Sequence, residues 1–457
     1  MTQEHITREY AAILTDKEKL PQLRAYIEQF VRDGDFQIEG MPAEELTKRL
    51  YREMAEYSVL TPYLGTDELE EINVNSWDDI ALTRTDGSIV KAAEHFHSPQ
   101  HAEDIVKRLL QHSGMILDNA TPIAQGHLPN NTRLTALKTP VVDAVNGIAA
   151  SIRLLHPQRV NREKLLETGM ATEEMLDFFA ACIRYGVSMT AAGATSTGKT
   201  TLINCLLGEI PDNRRVFTIE SGARELALVR RENGRTINNV VHTLSRPSDN
   251  PAYNISQEQL VVAALRFSPN VVVVGEMRDT EASAAVEASL TGHTVVSTVH
   301  SGAAEAAHTR IALLCQRRFP IDFSTSLTQA GMAFPVIAYT HRLEDNSRRV
   351  MDISECEVLT DGRRTYHTLY RYDIVSNTVQ NGTYTINGHF SKVGVPSESL
   401  QRKLRQYGIP TCITPASNTC ACTFAPQLHE KRSVRSGVQA MLPMRSMCSQ
   451  QSLRSAS

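Results

Sequence analysis

The sequence predicts an α/β protein in which a larger domain, built on a parallel sheet, is preceded by a smaller α+β domain. Between about residues 187 and 299, the apolar runs VSMTAAG, VFTIE, NVVVVGE and TVVSTVH alternate with helical segments. Strands that are apolar on both faces and alternate with helices are typical of a parallel sheet covered on both sides. Upstream, from about residue 60, shorter strands joined by tight turns indicate the α+β domain.

The first part of the chain predicts helices and then a small mixed domain. Residues 1–55 are predicted as a helical extension, since AEELTKRLYREMAEY has helical spacing. Residues 56–155 are predicted as the α+β domain, with the strands of LEEINVNSWDDIALTR turning at Trp77–Asp79. In the helix predicted from AEDIVKRLLQHSGM, one face carries the apolar residues Ile105, Val106, Leu109 and Leu110.

The larger domain is predicted to follow a polar linker. The linker covers residues 156–166 and the domain residues 167–395, with helices over KTTLINCLL, from Gln257, and over EASAAVEASL. Residues 396–457 are predicted as a helix, ESLQRKLRQYG, and a tail. We expect the tail to be disordered, because beyond Thr411 it is Ser-rich and contains a single acid.

Composition excludes several classes of protein. Lysine and arginine total 47 against 51 acids, a net charge of −4, which argues against a protein that coats nucleic acid. No apolar run approaches the roughly 18 residues of a spanning helix, and no signal segment is visible at the start. We therefore expect a cytoplasmic protein with at most peripheral membrane contact. Buried free thiols are expected at the isolated cysteines Cys182, Cys205, Cys315 and Cys356.

The most specific motif is GATSTGKT at Gly193–Thr200, between an apolar strand and a helix, which fits G-x-x-x-x-G-K-S/T. Gly193 and Gly198 let the backbone bend so that N–H groups point at phosphate oxygens, and the helix N-terminus adds its positive end. Lys199 is expected to bridge the β- and γ-phosphates, and the Thr200 hydroxyl to ligate Mg²⁺. The motif therefore predicts a triphosphate site.

Two acids follow buried strands of the larger domain. Glu276 follows the four valines of VVVVGEMRD, and Glu220 ends the strand of VFTIESGAREL. Open α/β sheets bind ligands at the carboxyl ends of their strands. Hydrolysis needs one carboxylate to orient water and another to support the metal. Both acids are expected to face the nucleotide, and either could handle the water.

The runs GATSTGKTT, TIESGAREL, VVVVGEMRDTEA and TGHTVVSTVHSG resemble the secretion-superfamily ATPases, hexameric motors of type II and type IV secretion, conjugation and pilus assembly. The resemblance is strongest to the CpaF-like branch of tight-adherence pili, and it covers about Leu50 to Pro410. It implies a RecA-like P-loop NTPase domain, ATP and Mg²⁺ as cofactors, and a homo-hexamer. The residues expected at the nucleotide are Gly193, Ala194, Thr195, Ser196, Thr197, Gly198, Lys199, Thr200 and Thr201.

The resemblance also implies roles for the two acids and two histidines. Glu276 is the Walker B acid and a Mg²⁺ ligand beside Thr200, while Glu220 lies in the acidic box and activates water. His293 and His300 bracket the histidine box, which senses the γ-phosphate or couples to a neighbouring subunit. Their odd separation places them on opposite sides of a continuous strand, so we expect different tasks for them.

Two arginines of the smaller domain complete the implied site. Arg133 and Arg153 look like the family's arginines that reach over the nucleotide, where a planar guanidinium neutralises γ-phosphate charge. Arg278 is expected to hold the acidic loop or a subunit contact. The acidic box departs from the family, with Ser221 where an Asp is common and one extra residue, and Asn270 replaces a common Asp before the Walker B strand.

The leading hypothesis is an ATP-hydrolysing motor at the inner face of the membrane, working with a polytopic inner-membrane platform protein of a pilus or secretion system. The altered acidic box leaves open a nucleotide-gated assembly module with little turnover. A nucleic-acid-translocating ATPase is a third hypothesis, disfavoured by the near-neutral charge, and no direct nucleic-acid binding is expected. The transported substrate and the role of residues 412–457 are not indicated.

Overall fold

The computed structural model describes residues 20–34, 40–111, 113–128, 132–155, 161–248, 250–380 and 382–406. The tail predicted to be disordered, from residue 407 onward, lies outside the described residues. Within the described part of the chain, a helical pair is followed by two large sheets and a small two-stranded one. Among the described residues, every helix is too short or too polar to span a lipid bilayer.

The helical pair consists of α1 (Leu20–Asp33) and α2 (Ala43–Ala55). Apolar residues spaced three and four apart pack the two helices together, as expected for amphipathic helices. The buried residues between them are Leu23, Ile27, Val31, Leu46 and Met54. The helix predicted from AEELTKRLYREMAEY is thus confirmed as α2.

The first sheet has six antiparallel strands in the order β3-β2-β1-β6-β5-β4. They are β1 (Leu69–Ser76), β2 (Asp79–Arg84), β3 (Ile89–Lys91), β4 (Ile123–His127), β5 (Arg133–Lys138) and β6 (Ile148–Arg153). A short helix, α3 (Thr61–Leu64), precedes the sheet, and α4 (Pro99–Gln111) covers it. The four apolar residues predicted on one face of α4 are all buried. The turn predicted after Trp77 is confirmed between β1 and β2.

The second sheet has nine strands in the order β11-β8-β12-β13-β7-β14-β15-β16-β17. Those that position the site are β7 (Met189–Ala192), β8 (Arg215–Glu220), β11 (Asn239–Leu244), β12 (Val271–Met277), β13 (Thr294–Val299) and β14 (Val336–Arg342). These six strands are parallel, as the alternation of strands and helices predicts. A separate two-stranded ribbon is formed by β9 (Arg231–Glu232) and β10 (Arg235–Thr236).

Helices cover both faces of the second sheet. They are α5 (Arg162–Glu167), α6 (Glu173–Arg184), α7 (Lys199–Gly208), α8 (Gln257–Ala264), α9 (Glu281–Leu290), α10 (Ala304–Gln316), α11 (Phe323–Ala333) and α12 (Glu398–Arg405). Side chains alternate along β12, so Val271 and Val273 enter the core with α6 and α7, while Val272 and Val274 enter the core with α8 to α11. This two-sided burial explains why four successive valines stand there.

Three features differ from the sequence expectations or add to them. An antiparallel extension continues the sheet beyond β14 through β15 (Arg348–Val358), β16 (Arg364–Gln380) and β17 (Thr383–Lys392), and the strand patterns had not indicated it. Part of the predicted linker is helical, because Asn161 caps α5. The four isolated cysteines are buried free thiols, as predicted.

Candidate nucleotide-binding and catalytic site

The loop Gly193–Thr200, hereafter the P-loop, joins β7 to α7 and requires glycine at two positions. A Cβ on Gly193 would lie 2.3 Å from the carbonyl oxygen of Thr340. Gly198 has a φ of 91°, in the left-handed region that favours glycine. Thr197 Oγ1 lies 2.9 Å from Thr340 Oγ1 and fixes the loop against β14. The backbone geometry thus leaves the N-terminus of α7 facing a cavity, which is the arrangement that binds anions.

Lys199, the first residue of α7, is 7% exposed. Its Nζ donates hydrogen bonds to the carbonyl oxygens of Gly193 (3.1 Å) and Ala194 (2.6 Å). Burial lowers the pKa of Lys199 to about 8, against the opposing charge of Glu276, which raises it. The ammonium therefore lies within the P-loop, where the lysine of this motif meets the β- and γ-phosphates.

Glu276 and His300 come together at the ends of two neighbouring strands. Glu276 is near the end of β12, and His300 directly follows β13, with its Nε2 3.0 Å from Glu276 Oε1. The hydrogen bond from His300 is the main cause that lowers the pKa of Glu276, with help from the charge of Arg278. Glu276 is therefore an ionised carboxylate beside the P-loop at neutral pH.

Glu220, the last residue of β8, is in a different environment. It is 4% exposed, and burial raises its pKa to about 7. Its Oε1 accepts hydrogen bonds from the backbone N–H groups of Glu225 (2.7 Å) and Leu226 (3.0 Å). Its Oε2 has no hydrogen-bond partner, the nearest ion-pairing group being His242 Nδ1 at 3.9 Å. Two carboxyl groups at adjacent strand ends therefore have pKa values displaced in opposite directions, a feature of acid–base sites.

Arg133 and Arg153 lie opposite each other in the β5–β6 pair of the first sheet. Arg133 Nη2 donates to the carbonyl oxygen of Ser221 (3.1 Å) and lies 2.9 Å from Glu225 Oε1. Gly222, beside Arg133, has a φ of 80°, in the left-handed region that favours glycine. Within the described residues, Arg153 has no hydrogen bond or ion pair, and its charge contributes to lowering the pKa of Lys199. The first sheet thus places two guanidinium groups beside the acidic box and the P-loop.

These groups surround one cavity of about 760 Å³, within the range of small-molecule and cofactor sites. From the second sheet it is lined by P-loop residues Thr195 to Thr200, by Thr201, and by Glu220, Glu276 and His300. From the first sheet it is lined by Glu70, Thr85, Asp86, Arg133 and Arg153. Of the residues predicted at the site, Gly193, Ala194 and His293 are not among those lining this cavity. Gly193 and Ala194 instead lie at the start of the P-loop, where their carbonyl oxygens accept the hydrogen bonds from Lys199.

His293 lies away from the cavity because it precedes β13, whereas His300 follows it. Its backbone carbonyl accepts a hydrogen bond from Ser188 Oγ (3.4 Å), and its Nδ1 is buried with no partner. The six residues of β13 separate the two histidines by roughly 20 Å at the usual rise of an extended strand. Of the two histidines, the structure therefore places only His300 at the cavity. The two residues lie at opposite ends of β13, which agrees with the expectation that they serve different tasks.

The residues present suit a magnesium ion. Glu276 supplies an ionised carboxylate, and Thr200 supplies a hydroxyl at the second position of α7, both lining the same cavity. Oxygen ligands of this kind, completed by water and phosphate oxygens, are those that Mg²⁺ prefers.

Sequence reasoning missed an arginine that contacts the P-loop. Arg348, at the start of β15, donates from Nε to the carbonyl oxygen of Ser196 (3.0 Å) and from Nη2 to both carboxylate oxygens of Glu70 (2.9 and 2.8 Å). No motif marks either residue, since they are 278 positions apart. The expected contact of Arg278 with the acidic loop is present, because its Nη2 donates to Ser221 Oγ (2.7 Å).

Asn270, which stands where an Asp is common in the resembling family, joins two strands at the end of the sheet away from the cavity. Asn270 Oδ1 accepts a hydrogen bond from the backbone N–H of Arg215 (2.8 Å), and the Asn270 N–H donates to the Arg215 carbonyl oxygen. These bonds join the starts of β8 and β12. Asn270 is therefore remote from the carboxyl ends of the strands that form the cavity.

Comparison with known proteins gives relatives of several kinds. An uncharacterized protein of Methanocaldococcus jannaschii is 27% identical over 371 residues, which are 78% of this chain and 62% of that protein. The type IV secretion system protein PtlH of Bordetella pertussis is 33% identical over 184 residues, 39% of this chain and 52% of PtlH. The chain thus spans between half and two thirds of the length of these relatives.

Among solved structures, one similar chain is the pilus retraction motor PilT with bound ADP. It is 18% identical, with 76% of this chain and 84% of that chain covered and a TM-score of 0.44. The model of the type II/IV secretion system protein family matches residues 53–377, well over half of the chain. That span includes both sheets' contributions to the cavity, from Glu70 to Arg348. The chain belongs to the type II/IV secretion system protein family.

Proposed function

We propose that this protein hydrolyses ATP to ADP and phosphate and that the cavity between the two sheets is its active site. The observation that carries the proposal is the convergence of the P-loop, the oppositely displaced carboxyls Glu220 and Glu276, and two arginines on one cavity. A P-loop alone would support binding. The added carboxyls and guanidinium groups are those that in-line attack of water on a γ-phosphate requires.

Glu220 is the residue that we assign to the attacking water. Its Oε1 is fixed by two backbone N–H groups, whereas its Oε2 has no hydrogen-bond partner and can accept the water proton. A pKa of about 7 suits a general base at neutral pH, because the group is partly ionised yet basic enough to take the proton. The hydrogen bond from His300 lowers the pKa of Glu276, whereas burial raises that of Glu220, so the two glutamates take separate roles.

The remaining groups neutralise charge. Lys199 would exchange its bonds to the carbonyl oxygens of Gly193 and Ala194 for bonds to the β- and γ-phosphates. Thr200 and Glu276 would hold Mg²⁺, which supplies charge stabilisation at the phosphates when bound. Arg153, without a partner among the described residues, is placed to meet negative charge that develops on the γ-phosphate.

We further propose the setting in which this activity is used. Family membership and the relative PtlH support a motor for type II or type IV secretion or for pilus assembly. The CpaF-like branch, a RecA-like domain, a homo-hexamer and a polytopic membrane partner at the inner face of the membrane follow from the resemblance. Light scattering after size exclusion with Mg²⁺ and an ATP analogue should give the mass of a hexamer; a monomer with and without nucleotide would contradict that assembly.

The activity is tested by phosphate release from ATP and Mg²⁺. The full chain should release phosphate, and Lys199→Ala should lower the rate by about 100-fold or more, because the main phosphate-binding cation is lost. Lys48→Ala, which changes an exposed lysine paired with Glu44 on α2, should leave the rate unchanged. Tight ATP binding without phosphate release would favour the nucleotide-gated module. Release that depends on single-stranded DNA would favour a nucleic-acid motor.

A further inference from the structure

The P-loop contains one residue in an unfavourable backbone conformation. Ser196 has a φ of 61°, in the left-handed region that a residue with a Cβ rarely adopts. Such conformations persist only where surrounding contacts hold them, and they cluster at functional sites. Among the described residues, one contact that restrains Ser196 is the 3.0 Å hydrogen bond from Arg348 Nε to its carbonyl oxygen. The Arg348 side chain also packs beside Gly198 of the loop, since its Cδ is 3.5 Å from the position that a Cβ would take there.

Arg348 is itself held by the first sheet. Its Nη2 donates to both carboxylate oxygens of Glu70, in β1, and the two side chains are 28% and 31% exposed. Hydrogen bonds between ionised groups are stronger and more directional than those between neutral groups. The guanidinium therefore bonds simultaneously to the P-loop backbone and to a carboxylate from the other sheet.

Glu70 is tied to the strand that carries Arg153. Its backbone carbonyl accepts a hydrogen bond from the N–H of Leu154 (2.9 Å), the residue that follows β6. A movement of the first sheet would therefore displace Arg153 and the Glu70 carboxylate together. The same movement would pull on Arg348 and, through it, on the carbonyl of Ser196.

We propose that Glu70 and Arg348 form a positioning link through which the first sheet sets the conformation of the P-loop. Neither residue needs to touch the nucleotide. While the link is made, Ser196 is held in its left-handed conformation and the loop is ready for phosphate. When the first sheet moves away, the link opens and the loop relaxes. The inference rests on the proposed function only in taking the P-loop as the phosphate site.

Two substitutions separate positioning from simple electrostatics. Glu70→Gln removes a negative charge from the cavity, so electrostatics alone would tighten the binding of an anionic nucleotide. Positioning predicts weaker binding, because glutamine offers Arg348 one neutral acceptor in place of two charged carboxylate oxygens. Arg348→Lys keeps the positive charge but loses the planar fork that serves Ser196 and Glu70 at once. Electrostatics alone predicts little change for this variant.

The experiment is calorimetric titration of the full chain with ADP and Mg²⁺. Each single variant should raise the Kd by about 3- to 10-fold, as for loss of one charge-assisted hydrogen bond. In the double variant Glu70→Gln/Arg348→Lys, the fold increase in Kd should be smaller than the product of the two single-variant increases, because both substitutions break one link. Arg162→Lys changes an arginine that pairs with Glu173 and Glu209 away from the P-loop, and should bind like the unsubstituted chain.

The outcomes distinguish the inference from the function on which it rests. Unchanged or tighter binding by Glu70→Gln, or independent losses in the double variant, would overturn the link. A thermal midpoint close to that of the unsubstituted chain shows that a weakened variant is folded. If the unsubstituted chain itself binds no ADP, the assignment of the cavity fails, whatever the variants do.

Discussion

The two sides of the cavity are constructed in different ways. On the second-sheet side, the groups follow directly from strand ends and are held by their own backbone, as Glu220 is by the N–H groups of Glu225 and Leu226. On the first-sheet side, long side chains reach across, and Arg133 is 32% exposed in its ion pair with Glu225. Most of the phosphate-binding groups therefore come from one sheet, whereas the link to the P-loop and a complete catalytic site depend on where the other sheet lies.

This difference would suit the proposed motor. The Arg133–Glu225 pair, with side chains 32% and 19% exposed, stays in contact with solvent, which screens the attraction and lowers the free-energy cost of breaking it. The two backbone hydrogen bonds that hold Glu220 lie within the second-sheet side and do not involve the first sheet. A cycle in which the first sheet moves against a stable second sheet would couple hydrolysis to movement.

The largest effect that separates the two sides is expected for Glu220→Gln. Glutamine keeps the shape of the side chain but cannot accept the water proton, so kcat should fall by about 1,000-fold. The Kd for ADP should stay within about threefold, since Glu220 is not a phosphate ligand. Phosphate release and ADP titration on the same preparation check both values. Glu287→Gln, at an exposed position of α9, is the matched control.

The same carboxyl predicts a pH dependence. Burial raises the pKa of Glu220 to about 7, so below that pH the group is protonated and cannot act as a base. We expect kcat to rise between about pH 6 and pH 8 in the unsubstituted chain and to lose that dependence in Glu220→Gln. A flat profile in the unsubstituted chain would assign the proton to another group.

A smaller effect should distinguish the two ends of one strand. His300→Asn removes the hydrogen bond that lowers the pKa of Glu276, and kcat should fall roughly tenfold, the typical effect of losing one bond to a charged group. His293→Asn, at the other end of β13, should leave kcat within about twofold. Equal losses in the two variants would show that position along β13 does not decide the role of these histidines.

The second-sheet side of the cavity could be predicted from the sequence more fully than the first-sheet side. The P-loop is contiguous, and the four valines before Glu276 mark their strand, so the second-sheet side was visible in short stretches of chain. The antiparallel strands β15 to β17 were missed, because their long, half-exposed hairpins lack the alternation with helices that identifies parallel strands.

Long-range partners could not be predicted in the same way. Glu70 and Arg348 meet because two sheets fold against each other, and neither stands in a motif. Assigning Arg133 and Arg153 required a resemblance to a family, since a strand arginine is ordinarily a surface residue. For His293 and His300, the odd spacing predicted opposite faces of a strand. It did not show that the two residues flank β13 at its opposite ends.

The most direct test of the two-sided site is to compare turnover with ADP binding in Arg153→Ala. Arg153 comes from the first sheet, lines the cavity and has no partner among the described residues, so its removal leaves no broken ion pair there. We predict that kcat falls by at least about 100-fold while the Kd for ADP changes by less than about threefold, because the charge that Arg153 meets develops during hydrolysis. Full turnover in Arg153→Ala would contradict the account, since the first sheet would then contribute nothing to the reaction.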